Sequence, residues 1–123
     1  MVQRLVGIWR LTRIGEYVSL VIITTLLGAA ASRGSFGWIL IGVVVANWLA
    51  VGFAFMINDV EDAPDDVLDP AKVRRNPVSA GILSPRSGRI WSFLVASIAA
   101  VLYAILVLQR DFVLLRDFAY YNE

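Results

Sequence analysis

Six acidic side chains crowd the stretch from Asp59 to Asp69: Asp59, Glu61, Asp62, Asp65, Asp66 and Asp69. Lys72, Arg74 and Arg75 follow at once. Just upstream, residues 36–57 carry no charge at all. A packed carboxylate set, then cations, at the end of a strongly apolar run suits a divalent metal and a multiply charged anion at a membrane surface. A diphosphate is such an anion. The chain has no cysteine and no histidine, which excludes zinc sites, thiol chemistry, disulfides and histidine bases. Any metal would be oxygen-ligated, so Mg2+, Mn2+ or Ca2+. The competing account is a solvated acidic loop balanced by its own basic neighbours.

Helical phase narrows the set. If the helix of residues 36–57 runs on past the membrane edge, Asn58, Asp59 and Asp62 share a face by their i, i+3 and i+4 spacing. Asp66 would lie two turns above Asn58. Pro64 disturbs that continuation, because it lacks a backbone donor and disfavours helical geometry at Ala63. Asp65 and Asp66 are therefore expected on a bent or restarted turn. Asn47 sits three turns before Asn58 and points the same way. As an amide in an apolar helix it needs a partner. Trp48 and Phe55 flank the Asn47 face as candidate cavity-lining aromatics, whose ring faces could stabilise a cation. Simple packing against helices or lipid accounts for them too.

The elements that carry these residues read as membrane spans. Of 123 residues, 59% are hydrophobic and only 17% charged, against about a quarter charged in soluble domains. A span needs roughly 20 apolar residues. Three blocks meet or approach that, at about 14–32, 36–57 and 88–108, giving an all-α, polytopic, multi-pass membrane protein in one domain. The first block spans if Glu16 stays near the headgroups, where Arg13 can pair with it; the alternative is a re-entrant or interfacial helix. Before it, Arg4, Arg10 and Arg13 interrupt the apolar residues, so the start reads as an amphipathic segment at the interface rather than a signal peptide. Ser32, Arg33, Gly34 and Ser35 read as a tight turn. Ser84 and Pro85 read as a helix start, Ser as N-cap and Pro at the first position, so the third helix begins before its apolar run. Trp38 and Trp91 suit interface anchors.

The long polar loop, 58–87, carries Lys72, Arg74, Arg75 and Arg86, with Arg89 just beyond it, and the N-terminal arm carries Arg4, Arg10 and Arg13, against Arg33 alone in the short turn. With three spans, the loop and the N-terminus share a side, cytoplasmic by the positive-inside rule. The end, with Phe112, Phe118, Tyr120 and Tyr121, is too short and charged for a fourth span and suits an interfacial helix. No extended basic stripe with exposed aromatics is present, so no nucleic-acid partner is expected.

The run N-D-V-E-D-A-P-D-D fits N-D-x-x-D-x-x-x-D, with Asn58, Asp59, Asp62 and Asp66 in the fixed positions. Downstream, KVRRNPVSAGILS is similar to a K-x-x-R-P-l-x-x-G-x-i-s stretch. Together these resemble the UbiA family of intramembrane prenyltransferases, over roughly residues 1–108. The resemblance implies the front part of an all-helical bundle with a lipid-open cavity. It implies transfer of a prenyl group from a prenyl diphosphate to a lipophilic acceptor. Carried over, Asp59, Asp62 and Asp66 would hold magnesium, and Asn58, Lys72, Arg74 and Arg75 would bind the diphosphate. Two departures stand out. The family places Arg directly before the proline, where this chain has Asn76. Family members are also longer and carry a second Asp-rich motif, which Asp111 and Asp117 do not supply. The chain therefore reads as an incomplete membrane domain, to be completed by a second half or by homo-oligomer formation. The non-enzymatic alternative is a truncated, inactive membrane protein that binds a partner or a lipid diphosphate. Asp65, Asp66 and Asp69 also match the D-D-x-x-D of soluble isoprenyl diphosphate synthases, against which the membrane blocks argue.

Overall fold

The computed structural model describes residues 2–31 and 37–121, with side chains as far as Gln109. It is 85% helical, with no strand among the described residues. Helix α1 covers Val2–Thr12 and α2 covers Ile14–Ala31. The joint is Arg13, whose φ of 48° lies in the left-handed region. That conformation costs a side-chain-bearing residue about 1–3 kcal/mol and persists only where surrounding contacts hold it. The backbone bonds bridge the break: Arg13 N–H donates to the Arg10 carbonyl at 3.2 Å, and Glu16 N–H to the Arg13 carbonyl at 2.9 Å. Glu16 pairs with Arg13, whose Nε donates to Glu16 Oε2 at 3.0 Å. The Arg13–Glu16 pair read from the sequence is thus present.

Helix α3, Trp38–Glu61, is the central element; it packs along α6, α2 and α1. Its 24 residues reach about 36 Å at 1.5 Å per residue, past a hydrocarbon core of about 30 Å. The second span thus continues into the acidic motif, as the helical-phase reading requires. Tyr17, Val21 and Thr25 form the buried stripe of α2, at the i, i+4, i+8 spacing that faces a neighbouring helix.

Two short helices follow, α4 at Ala63–Asp66 and α5 at Pro70–Arg75. Helix α6 then starts at Pro85 and runs unbroken to Tyr121. Ser84 is its N-cap, its hydroxyl oxygen accepting from Ser87 N–H at 3.1 Å. A separate interfacial helix at the C-terminus is not seen, since α6 simply continues; the side chains of Phe112, Phe118, Tyr120 and Tyr121 lie outside the described residues. The Ser32–Ser35 turn lies outside them too.

Three helical stretches are long and apolar enough to cross a membrane: Val2–Ala31, Trp38–Glu61 and Pro85–Gln109. Little of each is buried inside the protein. Their apolar side chains point outward, as expected where lipid rather than water surrounds them. Among the described residues, a compact cluster of buried apolar side chains lies instead at the motif end: Leu11, Met56, Val60, Ala63, Val78 and Leu83. Gly88 brings α6 onto it. A Cβ there would lie 2.5 Å from Val60 Cγ2, so only glycine permits the approach.

Candidate functional site

The motif residues leave α3 at its last turn. Asp62 caps the helix, its N–H donating to the Asn58 carbonyl at 2.8 Å. Pro64 lies in the first turn of α4, where its missing N–H costs nothing. The chain restarts rather than bends, and Asp66 N–H returns to the Asp62 carbonyl at 2.9 Å. Asp69 caps α5 in turn, its side chain accepting from Ala71 N–H at 2.8 Å. The α5 helix presents Lys72, Arg74 and Arg75 in its last turn, where cations also complement the helix dipole.

The restart divides the four motif residues into two pairs. Asp59 and Asp66 turn inward, each 4% exposed. Asn58 and Asp62, one turn apart, stay exposed. Neither exposed side chain forms a hydrogen bond or ion pair among the described residues.

What joins the buried pair is Asn76, fully buried between them. Its Nδ2 donates to the Asp59 carbonyl at 2.6 Å and to Asp66 Oδ2 at 3.0 Å. Its Oδ1 accepts from Val78 N–H at 2.9 Å, with a longer contact from Ser79 N–H at 3.4 Å. One amide therefore spends both ends on closing the loop from α3 to α6. Asn76 is the structural hub of the site. Asp66 Oδ1 also receives Lys72 Nζ at 3.1 Å. The Asn76 amide, and after it the Lys72 ammonium, hold the Asp66 carboxyl below the usual carboxylate range, against the opposing effect of its desolvation. The same contact raises Lys72.

Arg13 secures the other side. Its Nη1 lies 3.4 Å from Asp59 Oδ1, and its guanidinium carbon stands 4.9 Å over the centre of the Phe55 ring. Phe55 stacks on Tyr17 with centroids 5.1 Å apart, and the Tyr17 hydroxyl donates to the Thr12 carbonyl at 3.0 Å. These contacts hold the left-handed Arg13 in place. Asp59 Oδ2 is buried with no hydrogen-bond partner among the described residues. Arg75 acts through space on Asp66, Asp59 and Glu16 without an ion pair among the described residues. Arg10 donates to the Arg74 carbonyl, tying α1 to α5. At the far rim, Arg89 grips Glu61 with Nε–Oε1 at 2.8 Å and Nη2–Oε2 at 3.2 Å.

Deeper in the membrane, Asn47 finds the partners that its burial demands. Its Nδ2 donates to Thr25 Oγ1 of α2 at 2.8 Å, and its Oδ1 accepts from the Tyr103 hydroxyl of α6. One side chain thus joins three helices. Trp48 lines a small cavity of about 60 Å³ with Thr12, Tyr17, Gly52 and Met56. Its Nε1 is buried there without a partner among the described residues. Phe55 serves Arg13 and Tyr17 instead. Trp38 is 87% exposed, in keeping with an interface anchor.

Sequence reasoning named Asn58, Asp59, Asp62 and Asp66 as one set, and the structure separates them by burial. It missed Asn76, Arg13 as a partner of Asp59, and Tyr103. Asn76 carried a signal, since an Asn-Pro pair marks a turn whose Asn side chain bonds its own backbone. Tyr103 and Thr25 carried a weaker one, as hydroxyls placed in spans beside an unpartnered amide. No three acidic side chains converge on a metal-sized site among the described residues. Compared with protein-family models, curated proteins and solved structures, the chain matches none.

Proposed function

We propose that this chain holds a prenyl diphosphate at the membrane surface for magnesium-dependent transfer of the prenyl group to a lipophilic acceptor, as the diphosphate-binding part of a prenyltransferase. The observation that carries this reading is the division of labour within one short motif. Asp66 is spent on holding the loop and Asp59 is buried with one oxygen on Arg13, while Asn58 and Asp62 are left exposed and unspent. A merely solvated acidic loop has no need for two buried carboxylates and a buried amide to fix its shape.

Magnesium takes one or two carboxylates and completes its shell with phosphate oxygens and water. Asp62 and Asn58 fit that demand in donor type. Asp66 does not, because both its oxygens already bind Asn76 and Lys72. Asp59 has one oxygen committed to Arg13. Breaking the carbon–oxygen bond of an allylic diphosphate leaves the electron pair on the departing diphosphate, and the ion would neutralise part of that charge. Lys72, Arg74 and Arg75, in the last turn of α5, would neutralise the remainder. The cations of α1 and of the loop favour a cytoplasmic position for this end.

A second reading, binding without turnover, is favoured by the lack of any three converging acids among the described residues. One experiment separates the two. The purified chain in vesicles is exposed to protease with magnesium and a non-hydrolysable prenyl diphosphate analogue, then to labelled prenyl diphosphate with lipid extract. Protection of residues 58–81 that disappears in Asp62→Ala supports the site. Protection without transfer selects binding alone. Cleavage at an unchanged rate sinks both.

A further inference from the structure

Two carboxylates of the motif are buried to the same depth, and only one of them is well satisfied. Asp66 has Asn76 on Oδ2 and Lys72 on Oδ1. Asp59, also 4% exposed, has a single long contact on Oδ1, with Arg13 Nη1 at 3.4 Å. Its Oδ2 is sealed from solvent with no hydrogen-bond partner among the described residues. A carboxylate taken out of water needs a paired charge and hydrogen bonds to its remaining lone pairs. Asp59 therefore points to a further cationic ligand.

Arg13 is partnered without Asp59. Glu16 accepts from its Nε at 3.0 Å and from its Nη2 as well. The Phe55 ring lies 4.9 Å from its guanidinium carbon. Nη1 alone is turned to Asp59. The backbone of Arg13 stands at φ 48°, in a region that a side-chain-bearing residue keeps only where surrounding contacts hold it.

We infer that Arg13 is a place-holder for a divalent cation at Asp59. Its guanidinium neutralises the carboxylate until the metal arrives, and then gives it up. The inference rests on the proposed magnesium site and adds to it the group that the metal displaces. The exchange costs little. Arg13 loses one contact, while Glu16 keeps it paired and Phe55 keeps it covered. Asp59 trades a long contact for direct ligation by a hard cation, which carboxylate oxygens favour. The effect also reaches the joint between α1 and α2. With Nη1 released, the left-handed Arg13 loses one of the contacts that hold it, so the metal that orders the loop loosens the joint. Linkage makes the coupling reciprocal: taking the guanidinium away should tighten cation binding.

The test uses the whole chain in micelles, with magnesium and the non-hydrolysable prenyl diphosphate analogue, against the same sample in EDTA. Three quantities are followed. They are proteolysis of residues 58–81, amide exchange at Arg13 and Glu16, whose N–H groups bridge the joint, and the guanidinium nitrogen resonances of Arg13, assigned through Arg13→Lys. Magnesium is expected to slow proteolysis. Over the same concentration range it should shift the Arg13 resonances and speed exchange at the two amides. Arg13→Gly suits the left-handed backbone and should lower the magnesium needed for half-protection about tenfold, because no paired cation then competes for Asp59. Arg13→Lys keeps a cation there and should fall between the two. Slowed proteolysis with unmoved Arg13 resonances and unchanged amide exchange would overturn the inference and leave the magnesium site standing. Equal protection in EDTA would overturn it too, since no metal would be competing with the guanidinium. A loop cut at the same rate under every condition would remove the proposed site and the place-holder together.

Discussion

Replacing Asn76 with alanine tests the hub directly. The side chain is fully buried, and its removal strands three groups: the Asp59 carbonyl, Asp66 Oδ2 and Val78 N–H. A buried polar group left unpaired costs about 1–3 kcal/mol. Asp66 keeps Lys72, so part of its loss is recovered and the sum should fall near 3–5 kcal/mol. The assay is equilibrium unfolding of the purified chain in mixed micelles, paired with amide exchange over residues 59–83. Wild type should protect that stretch, and Asn76→Ala should expose it while the mid-membrane part of α3 stays protected. Lys72→Met removes an exposed partner of the same carboxylate and should cost far less, because an exposed pair is screened by water. A loss below about 1 kcal/mol for Asn76→Ala, or equal losses for the two variants, would refute the claim that the amide organises the loop. Asn76→Arg, which restores the residue of the resembled motif, should also destabilise, since the position has no solvent-exposed path for a guanidinium.

In Gly52→Ala a Cβ would lie 2.5 Å from the Tyr17 hydroxyl oxygen, so a net loss of about 1–2 kcal/mol is expected despite better helix propensity. Adding Tyr17→Phe should recover part of it in the same unfolding assay, because the next atom is 3.5 Å away. Tyr103→Phe removes one bond to Asn47 and should cost about 0.6–1.7 kcal/mol in micelle unfolding, with Asn47→Leu costing more because the Thr25 bond goes too. The Asp66 carboxyl is held low in the folded chain, so its stabilisation is complete above the unfolded carboxylate value. It is lost as pH falls through the lower folded one, in the range below about pH 4. Thermal scans should show an acid limb there that Asp66→Asn flattens, and an unchanged limb would count against the Asn76 and Lys72 contacts.

Much of the architecture could be read without coordinates, because the signals were local. Apolar length sets spans, so the number of long apolar helices, three among the described residues, follows from the three apolar blocks, although α3 and α6 run on past the blocks' ends at 57 and 108. Ser84 and Pro85 mark a helix start through cap chemistry that depends on adjacent residues alone. Pro64 implied a bent or restarted turn by the same local logic. The continuation of α6 to Tyr121 was not legible, since nothing in composition distinguishes a new helix from a longer one.

The types, spacing and membrane-edge position of the acids and cations were determined by the sequence itself, as was the demand of Asn47 for a partner. Which acids are available was decided only by tertiary structure. Four motif residues that share a pattern are divided by burial, and burial depends on what the rest of the chain lays over them. Arg13 comes to Asp59 from the first helical joint, and Asn76 comes to Asp66 from beyond α5. Contacts between residues so far apart carry no periodic mark in the sequence. They follow from the buried cluster around Leu11, Met56 and Val78, whose close packing sets the loop in one place.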